Sequence, residues 1–89
     1  MRAARFIVRG RVQGVFFRAS ARERAGELRL TGHARNLPDG SVEVVVYGEG
    51  EDIDRMETWL HEGPPQAEVN EFYREDIGVH DAPGEFRIL

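Results

Sequence analysis

Polar and apolar residues alternate through Arg5-Phe6-Ile7-Val8-Arg9, with Phe6 and Val8 on one face and Arg5, Ile7 and Arg9 on the other. That period of two predicts a strand over residues 4–10. The pattern then changes. Phe17, Ala21, Ala25 and Leu28 recur at i, i+4, i+8 and i+11, one stripe of a helix. Residues 31–36 read as a second strand, closed by the turn sequence Leu37-Pro38-Asp39-Gly40. Ser41 to Tyr47 is the clearest strand, with Val42, Val44 and Val46 on one side. Gly48-Glu49-Gly50 opens a second helix, whose apolar stripe is Ile53, Met56, Trp59 and Leu60. Glu49, Glu51 and Asp52 suit its positive N-terminal end, and Gly63-Pro64-Pro65 stops it. A fourth strand spans 67–75. After Gly78–Gly84, which has the look of a mobile connection, a short last strand covers Phe86 to Leu89.

This order is strand, helix, strand, strand, helix, strand, plus a terminal strand. Two split βαβ units with right-handed crossovers place both helices on one face of an antiparallel sheet. The expected fold is therefore α+β, a ferredoxin-like α/β sandwich of βαββαβ order with a short terminal strand. The first and third strands are central in that arrangement. At 89 residues the chain suits one domain, 1–89, with one modest core.

Composition narrows the chemistry. There is no cysteine, which removes disulfides and thiolate sites, and no lysine, which removes Schiff-base chemistry. Arg2, Arg5, Arg9 and Arg11 interrupt any signal-peptide apolar region, and no apolar run is long enough to span a membrane. A cytoplasmic protein is the expectation. Residues 1–40 carry nine arginines against Glu23, Glu27 and Asp39, whereas residues 41–89 carry three arginines against thirteen acids. The basic first half suits an anionic small molecule and fits two ordinary solvated surfaces equally well, while the net charge of −4 argues against nucleic acid. RNA-recognition modules of similar order need aromatics and basic residues on their third strand. Here that strand is Val42-Glu43-Val44-Val45-Val46-Tyr47, acidic and aliphatic apart from Tyr47. His33, His61 and His80 show no ligand spacing, so no metal site is expected.

The segment with most chemical content is Gly10-Arg11-Val12-Gln13-Gly14-Val15-Phe16-Phe17-Arg18, between the first strand and the first helix. Two glycines four apart permit a tight turn whose N–H groups lie open. A helix N-terminus adds further unpaired N–H groups, and Arg18 adds a planar guanidinium. Together they describe a cradle for a small phosphate compound. An ordinary tight connection also fits these nine residues. Neither a Walker loop nor a dinucleotide fingerprint is present. Asn36, just before the Pro38-Asp39-Gly40 turn, fits turn chemistry equally well.

Three blocks extend the reading. Gly10 to Arg18 resembles the first signature of the acylphosphatases, and Leu30-Thr31-Gly32-His33-Ala34-Arg35-Asn36-Leu37-Pro38-Asp39-Gly40-Ser41-Val42-Glu43 resembles the second. Trp59-Leu60-His61-Glu62-Gly63-Pro64-Pro65-Gln66-Ala67-Glu68-Val69 is similar to a third block of that family. Their order and spacing extend the resemblance over essentially the whole chain. It implies hydrolysis of small acyl phosphates to a carboxylate and inorganic phosphate, without metal or cofactor. It also implies that the main chain of Gln13, Gly14, Val15, Phe16, Phe17 and Arg18 holds the phosphoryl group with the Arg18 guanidinium. Asn36 takes the position that orients the attacking water.

A carboxylate leaving group needs little protonation, so positioning and charge stabilisation suffice. An amide is no strong base, and the water's proton is expected to pass to the substrate phosphate. The alternative is a non-catalytic phosphate or carbamoyl-phosphate binding module, like the acylphosphatase-like domain of a hydrogenase-maturation carbamoyltransferase. A monomer is expected. Two positions depart from the family pattern: Arg29 stands where glycine is common, and His33 where an aromatic is common. Both are expected to bear on stability and packing, with His33 a satisfied structural histidine.

Overall fold

The computed structural model describes residues 1–89, with β1 (Arg2–Arg11), α1 (Phe17–Glu27), β2 (Thr31–Asn36), β3 (Val42–Gly48), α2 (Gly50–Glu62), β4 (Glu68–Ile77) and β5 (Phe86–Ile88). The strands form one sheet in the order β4-β1-β3-β2-β5. β1 and β3 are central and antiparallel, in register from Arg2↔Gly48 to Val8↔Val42. β4 runs antiparallel to β1 and β2 antiparallel to β3. The ferredoxin-like α+β architecture is thus the one the element order predicts.

One part of the sheet departs from the all-antiparallel expectation. β5 pairs with β2 in parallel, Gly32↔Phe86 to Ala34↔Ile88, so the five-stranded sheet is mixed. Direction explains this. β4 runs opposite to β1 and finishes at the end of the sheet where β2 begins. The chain then crosses that end and can only continue alongside β2 in the same sense.

The helices cover one face, where Phe6 and Val8 of β1 and Val42, Val44 and Val46 of β3 are fully buried. Against them lie Phe17, Ala21 and Ala25 of α1 and Ile53, Met56 and Leu60 of α2. Burying each of the larger side chains (Phe17, Ile53, Met56 and Leu60) contributes ~1.5–3 kcal/mol. Trp59 is half-buried at the edge of this core, its ring 5.8 Å from that of Phe17. β1 is irregular between Arg9 and Gly10, and Gly10 takes φ 130° there. A Cβ at Gly10 would stand 2.1 Å from the Glu68 carbonyl oxygen, so only glycine fits. Pairing with β4 resumes beyond it at Gly10↔Val69 and Arg11↔Glu68, after which the chain enters the loop before α1.

The C-terminus of α1 carries the departure at Arg29. Its φ is 57°, the left-handed conformation of a helix-terminating residue. Leu30 N–H donates to the Ala25 carbonyl at 2.8 Å and Arg29 N–H to the Gly26 carbonyl at 3.2 Å, closing the helix in a Schellman arrangement.

Candidate active site

Antiparallel pairing of β1 and β2 with opposite sides of β3 makes the two strands run the same way and end together. The loop after β1 therefore meets Asn36, the last residue of β2. Gly14 takes φ 75° and Phe16 φ 61°, two left-handed residues that turn the chain sharply into α1. Nothing lies within 4 Å of a Cβ built on Gly14, so its glycine answers to backbone angle and not to space.

Phe16 occupies the N-cap position and offers no side-chain cap. None of the eleven backbone hydrogen bonds outside helices and strands is donated from residues 13–19. The one main-chain N–H received by a side chain is that of Ser41. Seven consecutive N–H groups, running from the loop into the first turn of α1, thus have no protein acceptor, an arrangement that attracts an anion.

A cavity of about 240 Å³ opens on this loop. Val12, Gly14, Phe16, Phe17, Arg18, Ala19, Asn36 and Ile88 line it. Arg18 and Asn36, 18 positions apart in sequence, are brought to the same hollow. Arg18 sits in the first turn of α1, and its Nη1 donates to the Leu89 main-chain oxygen at 2.9 Å. Leu89 is in turn held by its N–H to the Ala34 carbonyl at 2.9 Å. The segment after β5 therefore orients the guanidinium.

Gln13 and Val15 lie elsewhere on the loop. They line an adjoining hollow with Arg11, Gly14 and the Pro65–Glu68 segment. The Gln13 side chain reaches to the β2–β3 turn, where Nε2 donates to the Leu37 and Ser41 carbonyls, each at 2.9 Å. That turn is closed by Leu37 N–H to the Ser41 carbonyl and by Asp39, which accepts from Ser41 N–H at 3.0 Å. The Ser41 hydroxyl and N–H bonds, aided by Arg9, hold the Asp39 carboxyl below the usual range. Asn36 is thereby presented from a braced turn. Sequence reasoning missed this use of the Gln13 side chain; two glycines around a polar residue offered no sign of its partner.

Glu43 was another silent residue. It lies on the sheet face away from the helices and is buried, with 5% of its side chain exposed. Arg5 Nε donates to Oε2 at 2.6 Å, and Arg35 Nε to Oε1 at 2.8 Å, with His33 Nε2 3.2 Å from Oε1. Burial works to raise its pKa, but the Arg5 and His33 hydrogen bonds and the Arg35 charge outweigh it and hold the carboxyl below its ordinary value. His33 is thus a satisfied strand histidine. An acid amid valines, in register beside Arg35, was the available signal. Glu43 stands outside the cavity and carries structure. No group of three or more His, Cys, Asp or Glu is gathered where a metal ion could be held, and no helix is long and apolar enough to cross a membrane.

Comparison with known proteins identifies the family. A family model described as Acylphosphatase matches residues 4–88. An acylphosphatase of Xanthomonas euvesicatoria pv. vesicatoria (strain 85-10) is 59% identical over 69 residues, 78% of this chain and 78% of that protein. The structure of an acylphosphatase from Coxiella burnetii superposes with a TM-score of 0.94 at 46% identity, covering 99% of this chain and 92% of the other. Full-length HypF, in its phosphate- and nucleotide-bound form, matches with a TM-score of 0.86 at 25% identity. That match takes in 99% of this chain and 12% of HypF.

Proposed function

The chain belongs to the acylphosphatase family and hydrolyses acyl phosphates; on that premise we propose that the phosphoryl group rests on the Gln13–Arg18 main chain and the Arg18 guanidinium while Asn36 orients the attacking water. The observation that carries this division is the meeting of Arg18 and Asn36 in one cavity, beside a loop whose N–H groups lack acceptors.

The chemistry follows from charge. Water oxygen attacks phosphorus, the bond from phosphorus to the acyl oxygen breaks, and the carboxylate leaves with the electron pair. Negative charge spread over the equatorial oxygens meets the loop N–H groups and Arg18, which are preorganised and need no rearrangement. The carboxylate is stable as an anion, so no general acid is required. Asn36 accepts one hydrogen bond from water through its carbonyl, which aims the oxygen, and donates through its NH₂. It takes no proton; the proton passes to a phosphate oxygen. The amides and the guanidinium supply the positive potential, so turnover needs no metal ion.

We further propose that residues 1–89 act as one acylphosphatase domain, a cytoplasmic monomer working on a small molecule and not on nucleic acid. The large exposed hydrophobic residues Met1, Phe16, Tyr73, Val79 and Leu89 are spread over different segments. Glu43, Glu71 and Glu75 alternate with arginines on the open sheet face, which does not suit a phosphate backbone.

The test is hydrolysis of benzoyl phosphate by the purified chain in excess chelator, alongside Arg18→Ala. Turnover that survives the chelator and disappears in the variant supports the reading. Phosphate binding without turnover leaves a non-catalytic phosphate or carbamoyl-phosphate module in its place.

A further inference from the structure

Phe16 and Phe17 are neighbours with opposite fates. Phe17 is buried against Trp59 in the core, whereas Phe16 is 78% exposed at the rim of the cavity. Phe16 also holds φ 61°, a conformation that disfavours any residue with a Cβ. An aromatic side chain that gains little burial, at a position where glycine would be unstrained, contributes little to the stability of the fold. Such an outlier beside a reaction site points to a task there.

Its position identifies the task. Phe16 borders the cavity that holds Arg18 and Asn36, and it also borders an adjoining hollow of about 270 Å³ with Val15, Ser20, Pro64, Pro65 and Gln66. The other large apolar side chains lining the first cavity are less available, since Val12 and Phe17 are buried and Ile88 is half-buried. The second hollow contains no charged residue. A substrate whose phosphoryl group sits on the loop amides has only its acyl group left to project past the rim. The first large apolar surface offered to that group is the Phe16 ring, backed by the Pro64-Pro65 wall.

We propose that the Phe16 side chain forms the acyl-binding wall and sets a preference for aromatic over small aliphatic acyl phosphates. The assignment rests on the phosphoryl placement proposed above. The Phe16 main-chain N–H serves the phosphate, and the ring serves the acyl group. An aromatic acyl group stacks on or meets the edge of the ring and displaces water from it, whereas an acetyl group covers little of it.

The experiment compares kcat/KM for benzoyl phosphate and acetyl phosphate in the native chain, Phe16→Ala, Phe16→Gly and Phe16→Tyr. In both truncated variants the benzoyl-to-acetyl ratio is expected to fall roughly three- to tenfold, the scale of one aromatic contact. Phe16→Tyr is expected to keep the native ratio. Phe16→Gly also relieves the left-handed backbone, so a shared fall in Ala and Gly assigns the effect to the ring. An unchanged ratio in both, with each substrate affected alike, overturns the acyl-wall assignment and leaves the hydrolase standing. Absence of turnover on either substrate in the native chain overturns the functional reading itself, and the wall with it. Because Phe16 packs into no core, truncation spares the fold, and thermal unfolding of each variant checks this.

Discussion

The Gln13 side-chain amide lies 2.9 Å from the Leu37 carbonyl and fastens the anion loop to the turn that presents Asn36. The same nitrogen donates to Ser41, so one residue spans both halves of the site. Gln13→Ala is expected to lower stability by ~1–3 kcal/mol, two hydrogen bonds' worth. It should reduce kcat more than phosphate affinity, because the Asn36 turn is released while the loop amides remain. Gln13→Glu, which keeps the shape and loses the donor, should reproduce the defect. Full activity in Gln13→Glu would show that the donated bonds do not matter.

Arg18 is oriented by the Leu89 main-chain oxygen and faces the same cavity as Asn36. Arg18→Ala should nearly abolish turnover and weaken competitive inhibition by phosphate together, since the proposed division gives both tasks to one group. Arg18→Lys should rescue poorly, because an ammonium cannot reproduce the planar fork. Steady-state kinetics with phosphate as inhibitor read both effects.

Asn36 is expected to behave differently. Asn36→Ala should spare the phosphate inhibition constant and lose roughly 10²–10³ in kcat, the scale of one preorganised polar group. A variant that lost phosphate affinity first would reverse the division of roles.

Arg29 holds φ 57° at the end of α1, where glycine carries no such strain. Arg29→Gly should therefore stabilise the chain by about 1 kcal/mol. A urea midpoint shifted upward with kcat/KM unaltered is the expected result, because Arg29 lies outside the cavity lining.

Glu43 links stability to pH. Burial opposes its ionisation, but Arg5, His33 and Arg35 prevail, so its folded pKa lies below the unfolded value of 4.5. Its contribution is complete above that unfolded value and is lost as pH falls through the lower folded one. Glu43→Gln should cost ~1–3 kcal/mol at neutral pH through weakened bonds to charged partners. It should also flatten the acid side of the stability curve. Urea midpoints followed from neutral pH down through 4.5 test both; parallel curves for variant and native chain would exclude Glu43 as the linked group.

Much of the fold was legible from neighbours alone. Val42, Val44 and Val46 alternate because a strand alternates, and Ile53, Met56 and Leu60 recur because a helix turns; both sets are buried as their spacing predicts. The ends were less certain: β4 extends to Ile77, beyond 75, because Ala3 of β1 is there to pair with it. Arg18 and Asn36 were legible through signature blocks, which carry no distance. The left-handed state of Arg29 was a conditional expectation that the helix end turned into fact.

By itself the sequence determined the elements, their order, the helix-covered face and the residue types available for phosphate chemistry. These depend on periodicity and local backbone preference, properties of residues a few positions apart. Tertiary structure alone decided that β5 lies parallel to β2, that Gln13 spans to Leu37 and Ser41, and that Arg5 and Arg35 converge on Glu43. It also decided that Leu89 meets Arg18, 71 positions away. Such meetings follow from strand order and register, which the whole core sets at once and no local pattern encodes.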